Sequence, residues 1–256
     1  MPLALTLVML FPAMVYLRGW LHVRSAHVNS IPVWRAVSFF LGLFFAWVAV
    51  ASPVATSDQS MLTAHMVQHL LLMTFAPPLI WLGEPVLAMG QPLRWQPLEK
   101  FGSPLAHPAV CWLSAAAALV VWHVPALFWL GMQSPTLHLI EHASFLATGL
   151  LFWWPVVQPW PSAPRWPRWT MLLYLFLATL PCDVLSGLLV FSDRVAYPMY
   201  LCTPHQSGLS ALEDQQCAAA LMWTCVTVVF LVAGTILSIQ LLSPRTSREV
   251  MEVVSV

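Results

Sequence analysis

Two histidine pairs stand at helical spacing inside apolar sequence, His65-Met66-Val67-Gln68-His69 and His138-Leu139-Ile140-Glu141-His142. Four residues is close to one turn of α-helix, so both imidazoles of a pair share one face and can grip one metal ion or border one polar cavity. His123 and the carboxylate of Asp183 lie in two further apolar runs. Ionisable groups inside a membrane span are costly unless paired or coordinated, and they mark function by default. Imidazoles with a carboxylate and nearby thioethers suit Cu(II) through nitrogen and oxygen, and Cu(I) through nitrogen and sulfur. Zinc accepts the same imidazoles, so copper is expected and zinc stays open.

The expected metal ligands are His65, His69, His138, His142 and Asp183, with His123, His205 and Met222 as further candidates. Asp183 has a second reading, as the partner that fixes the tautomer of one histidine. Met61, Met66 and Met73 read as core packing in the first place, as do Cys111 and Cys225. Cys202 and Cys217 differ, since both fall in one loop on the oxidising side and are expected to form a disulfide.

Membrane spans must position these groups. Of the 256 residues, 59% are hydrophobic and 8% charged, and mean hydropathy is +0.77. A soluble fold does not need that balance. Apolar runs long enough to cross a bilayer occur at Leu3–Leu17, Val33–Ala51, Met61–Leu82, Ala109–Leu130, Leu137–Val157, Trp169–Phe191 and Ala218–Leu242. The expectation is an all-α polytopic membrane protein, a bundle of about seven helices forming a single transmembrane domain over residues 1–256. The first run is short, but it has no basic region before it and no small-residue cleavage site after it, so it reads as a span rather than a signal peptide.

Arg18, Arg24, Arg35, Arg94, Lys100, Arg165, Arg168, Arg245 and Arg248 fall on one side of this topology and only Arg194 on the other. The positive-inside rule then places the N-terminus outside and the C-terminus in the cytoplasm. Residues 192–217 become the longest external loop. Nucleic-acid binding has no support, because no basic stripe exists beyond these anchors. Pro77-Pro78 falls inside the third run and is expected to kink it or unwind its cytoplasmic half. The tryptophans between Trp153 and Trp169 read as an interfacial belt. With about 1.5 Å of rise per residue, the histidine pairs, His123 and Asp183 all fall within roughly 12 Å of the outer helix ends.

The stretch Leu62-Thr-Ala-His65-Met66-Val-Gln68-His69, running through Ala76-Pro77-Pro78-Leu79 to Gly83, resembles the signature of the multi-spanning CtaG family of cytochrome c oxidase assembly proteins. Two later segments agree: Glu141-His142-Ala143 leading to Gly149 and Phe152-Trp153-Trp154-Pro155, and Asp214-Gln215-Gln216 leading to Met222-Trp223. The resemblance implies a multi-pass protein of the bacterial plasma membrane that matures a haem–copper oxidase. Its partners would be oxidase subunits, with periplasmic copper chaperones as a further class, and its task the binding or delivery of copper at the outer face. Gln68, Asp214 and Gln215 match the family pattern as supporting residues, whereas Ala219 stands where a glycine is expected.

Rival readings remain at this level. His138-Leu139-Ile140-Glu141-His142 fits the H-x-x-E-H string of zinc hydrolases, with Glu141 as general base. Histidines on facing helices also serve haem-binding electron carriers, although axial ligands must oppose each other across the macrocycle and i, i+4 pairs do not. A metal transporter would need polar groups continuing to the cytoplasmic side, and the helices are nearly bare of them there.

Overall fold

The computed structural model describes residues 2–26, 31–52, 54–57, 59–89, 107–159, 166–202 and 208–243. Regular structure among them is helical throughout. In chain order the helices are α1 (Pro2–Ala26), α2 (Val33–Ala51), α3 (Val54–Ser57), α4 (Leu62–Leu70), a π turn (Leu71–Phe75), α5 (Ala76–Leu82), α6 (Pro85–Ala88), α7 (Pro108–His123), α8 (Pro125–Gln133), α9 (Pro135–Val157), α10 (Arg168–Val190), a 3-10 turn (Pro198–Cys202) and α11 (Ala211–Leu242). Among the described residues four helices, α1, α2, α10 and α11, are long and apolar enough to cross a membrane, or five spans if α7 and α8 count as one broken span. The α4–α5 run and α9 carry the polar residues and are not among these.

Three boundaries differ from expectation, each for a local reason. The first helix does not end at Leu17 but runs on to Ala26, with the Arg24 guanidinium 5.2 Å from the Trp20 ring centroid. Long basic side chains can lay their stems on apolar surface at a membrane interface and keep the charge in water, so arginine need not stop a span. The fourth expected span is not one rod: α7 and α8 meet at 77°. Val124, which precedes Pro125, is forced extended at φ −64° and ψ 122°, and Pro125 then opens a new helix. The last helix begins at Ala211 rather than Ala218, because Ser210 and Glu213 close a capping box. Asp214, Gln215 and Cys217 are therefore helical, and the external loop expected at 192–217 is shorter by seven residues.

The proline pair does not unwind the third segment. Backbone dihedrals stay in the right-handed region on both sides of the π turn, at Leu71 (φ −62°, ψ −42°) and Ala76 (φ −65°, ψ −45°). Pro77 has no N–H to offer the carbonyl four residues back, and a widened turn directly before it accommodates the ring. That carbonyl, Met73, instead accepts the Trp153 indole N–H at 3.2 Å. The same crossing brings α9 close: a Cβ on Gly149 would lie 2.9 Å from the Met73 oxygen and 2.8 Å from Pro77 Cγ. Gly149→Ala should thus destabilise the protein by about 1–3 kcal/mol through overpacking. Thermal unfolding in detergent checks this, and an unchanged midpoint would mean that α9 does not approach so closely.

Candidate metal centre

Helix α4 presents His65, Gln68 and His69 on one buried face. Its own sequence supplies no cap, since Met61 at the N-cap position has no side-chain acceptor. The acceptor comes from α11: the Asp214 carboxylate takes the N–H of Leu62 at 2.6 Å, the N–H of Thr63 at 3.3 Å and the hydroxyl of Thr63 at 2.6 Å. An anion at a helix N-terminus satisfies orphan donors and complements the helix dipole, so Asp214 sets where α4 begins. Gln215 ties down the preceding loop, accepting the Ala196 N–H at 2.7 Å and donating to the carbonyls of Leu189 and Arg194 at 3.3 and 3.2 Å. These two motif residues hold the scaffold, and neither belongs to the group of donor atoms described next.

Helix α9 sets Glu141 against α4. Glu141 Oε1 lies 3.4 Å from His65 Nε2 and 3.2 Å from His69 Nε2. One donor atom from each residue falls within 4.8 Å of the others, and all three side chains are buried. Neither close contact has hydrogen-bond geometry: both nitrogens of His65, both of His69 and both oxygens of Glu141 lack a hydrogen-bond partner among the described residues. Buried polar atoms are almost always satisfied, so six without a partner in one small cluster need an explanation. A cation would engage one nitrogen of each imidazole and the carboxylate, and a set of two histidines and one carboxylate suits Zn(II), Cu(II) or Fe(II).

Three more imidazoles surround this trio. The His138 ring stacks 5.6 Å from that of His65, and the His123 and His142 rings each lie 6.0 Å from that of His69. His142 Nε2 pairs with Gln68 Oε1 at 2.9 Å, which gives Gln68 the role of orienting that ring. His123 Nδ1 lies 2.7 Å from the Leu119 carbonyl, so Nδ1 carries the proton and Nε2 keeps its lone pair. His123 Nε2 is buried and has no hydrogen-bond partner among the described residues. Phe128 and Phe145 wall the cluster, with ring centroids 4.9 Å from His65 and 4.1 Å from His69.

Of the residues expected from sequence, His65, His69, His123, His138 and His142 come together, and Asp183 does not. Asp183 is half-buried on α10, while its neighbour Cys182 turns inward onto the core cluster of Met66 and Met222. Adjacent residues on a helix point about 100° apart, so one position decides which side chain faces the site. The carboxylate in the cluster is Glu141 instead. Met222 is buried beside Met66 and lines a cavity reached by His69 and His123. His205 lies outside the described residues, as does the side chain of Cys202. Cys217 is a free, exposed thiol, so the expected disulfide to Cys202 is not formed. It lies on the second turn of α11, between the buried Asp214 and Ala218 in sequence but itself exposed.

The chain is 26% identical to an uncharacterized protein of Mycobacterium leprae over 226 residues, which is 82% of this chain and 34% of that one. A second uncharacterized protein, from Mycobacterium bovis, is 26% identical over 229 residues, 83% of this chain and 34% of its own length. The chain thus spans about a third of the length of the curated relatives it matches. No solved structure matches. The model of the caa3-type cytochrome c oxidase assembly factor family, Caa3_CtaG, matches residues 14–243, which include the whole histidine–glutamate cluster. The chain belongs to the CtaG family of cytochrome c oxidase caa3 assembly factors.

Proposed function

We propose that this protein binds copper at the outer face of the bacterial plasma membrane and makes it available to a haem–copper oxidase during assembly. The observation that supports this most is the convergence of His65, His69 and Glu141, six of whose buried polar atoms have no hydrogen-bond partner among the described residues. Two neutral imidazoles and a carboxylate form a neutral site with Cu(I)-carboxylate character or a singly positive one with Cu(II), and both are less costly in an apolar bundle than the bare ion. Copper ranks above zinc by intrinsic divalent affinity, although availability in the cell can reverse that order. The natural partners in this reading are oxidase subunits and periplasmic copper chaperones. The hydrolase reading is weaker, because Glu141 sits against His65 and His69 while His142 Nε2 is engaged by Gln68.

In this proposal the chain crosses the membrane seven times, with the α4–α5 run and α9 as two of the crossings, the N-terminus outside and the metal centre in the outer leaflet. Reporter fusions after Arg248 and between Ser192 and Ser210 should report cytoplasm and exterior respectively. The opposite pattern would place the histidines in the inner leaflet and contradict delivery at the outer face. The functional test is complementation of a strain lacking this gene. Wild type should restore a copper-loaded oxidase and His69→Ala should not, at equal abundance in the membrane. Full copper loading by that variant would contradict the proposed function.

A further inference from the structure

Next to the histidine–glutamate trio lies a cavity of about 70 Å³ whose wall carries an unusual share of sulfur: Met66 and Met73 from the α4–α5 run, Cys182 from α10 and Met222 from α11. Met66, Cys182 and Met222 are 1%, 4% and 4% exposed and belong to one packed cluster. Methionine in a core ordinarily serves as adaptable filler, shaped to remove voids. Here the three border a void instead of closing it. An apolar cavity of this size would stay dry, but this one is also lined by His69 and His123, each about 95% buried, and His69 Nδ1 and His123 Nε2 have no hydrogen-bond partner among the described residues. The free His123 lone pair is the more telling, since Nδ1 is already committed to Leu119 and the ring sits at the 77° break where α7 ends.

We infer that this cavity is a second metal site, selective for a soft monovalent cation, Cu(I), and formed by the Met66 and Met222 thioethers, the Cys182 sulfur and the His123 imidazole. Thioether, thiolate and imidazole donors favour Cu(I), whereas the carboxylate of the neighbouring trio favours a divalent ion. The Cys182 thiol, in contact with Ser186 Oγ at 3.8 Å, would exchange its proton for the ion, the proton leaving to bulk water with the hydration water the ion sheds. His69 borders both sites and would let an ion pass between them without entering lipid or water. The inference rests on the proposed copper reading only for the identity of the natural ion.

The test uses Ag(I), a redox-inert probe of Cu(I) sites, and Zn(II), a probe of the trio, on detergent-purified full-length protein. Met66→Leu/Met222→Leu preserves apolar volume and should leave folding intact. Wild type should bind Ag(I), and this variant should bind it at least about tenfold more weakly, a loss that even outer partners of a metal cause. Zn(II) binding should be unchanged in the variant, and Cys182→Ser should weaken Ag(I) binding in the same direction. Loss of Zn(II) with retention of Ag(I) in His65→Ala/Glu141→Gln would support two separate sites. Two results would overturn the inference: no Ag(I) uptake by wild type, or Ag(I) uptake that the sulfur substitutions leave unchanged. Failure of the trio reading is distinct, because it appears as a wild type that binds no divalent ion.

Discussion

Glu141→Gln should lose metal affinity by about 100-fold or more and yet, in the metal-free state, unfold at a higher temperature than wild type. The two effects have one cause. Removing a charged ligand takes away the strongest electrostatic attraction for the cation, and glutamine cannot replace it at the same distance. In the apoprotein the same carboxylate is fully buried and faces two imidazole nitrogens without hydrogen-bond geometry to either. A buried charge without hydrogen-bonded partners is costly, and a neutral replacement of equal size removes that desolvation cost, so the metal-free variant should be the more stable. Differential scanning fluorimetry with and without added metal reads both effects. If Glu141→Gln instead lowers the melting point of the metal-free protein sharply, Glu141 is the anchor of a structural ion pair with protonated histidine and the metal reading loses its carboxylate.

Asp214→Ala should be among the most destabilising single changes in the chain. It removes the acceptor for two backbone N–H groups and one hydroxyl at the start of α4. Hydrogen bonds to a charged group contribute about 1.5–3 kcal/mol each, and the helix end has no local substitute cap, so a loss of roughly 3–5 kcal/mol is expected. His65 lies in the first turns of α4, so fraying there should also weaken metal binding. Asp214→Asn keeps an acceptor and should fall between the two. Chemical denaturation in mixed micelles measures the stability, and a variant within about 1 kcal/mol of wild type would show that α4 begins without this contact.

How much of this centre can be read from sequence depends on which physical signal carries each part. The i, i+4 histidine pairs are visible because helical periodicity alone puts both rings on one face. Glu141 was equally visible in principle, lying between His138 and His142 on the same face. The H-x-x-E-H string reads it as a general base and leaves the ligand role to Asp183, because the choice between two carboxylates depends on how α9 and α10 are rotated against α4. That rotation comes from packing contacts such as Gly149 against Met73 and Pro77, which no local pattern reveals. The start of α11 was legible in the Ser210–Glu213 capping box, but the apolar run at Ala218 drew the boundary inward. The 77° break also has a local signal, Pro125, though its angle does not. The π turn at Leu71–Phe75 has none beyond the prolines that follow it. Asp214 capping a helix 152 residues away is a tertiary contact, invisible to any reading of nearby sequence.

Metal binding at the trio is read out by elemental analysis of the purified protein after exposure to copper and removal of loosely bound ions, in wild type and in His65→Ala/His69→Ala. Wild type should hold about one tightly bound equivalent at the trio that the double variant loses, while membrane insertion and helix content stay at wild-type level. A wild type that retains no metal, or a double variant that retains as much as wild type, would contradict metal binding there.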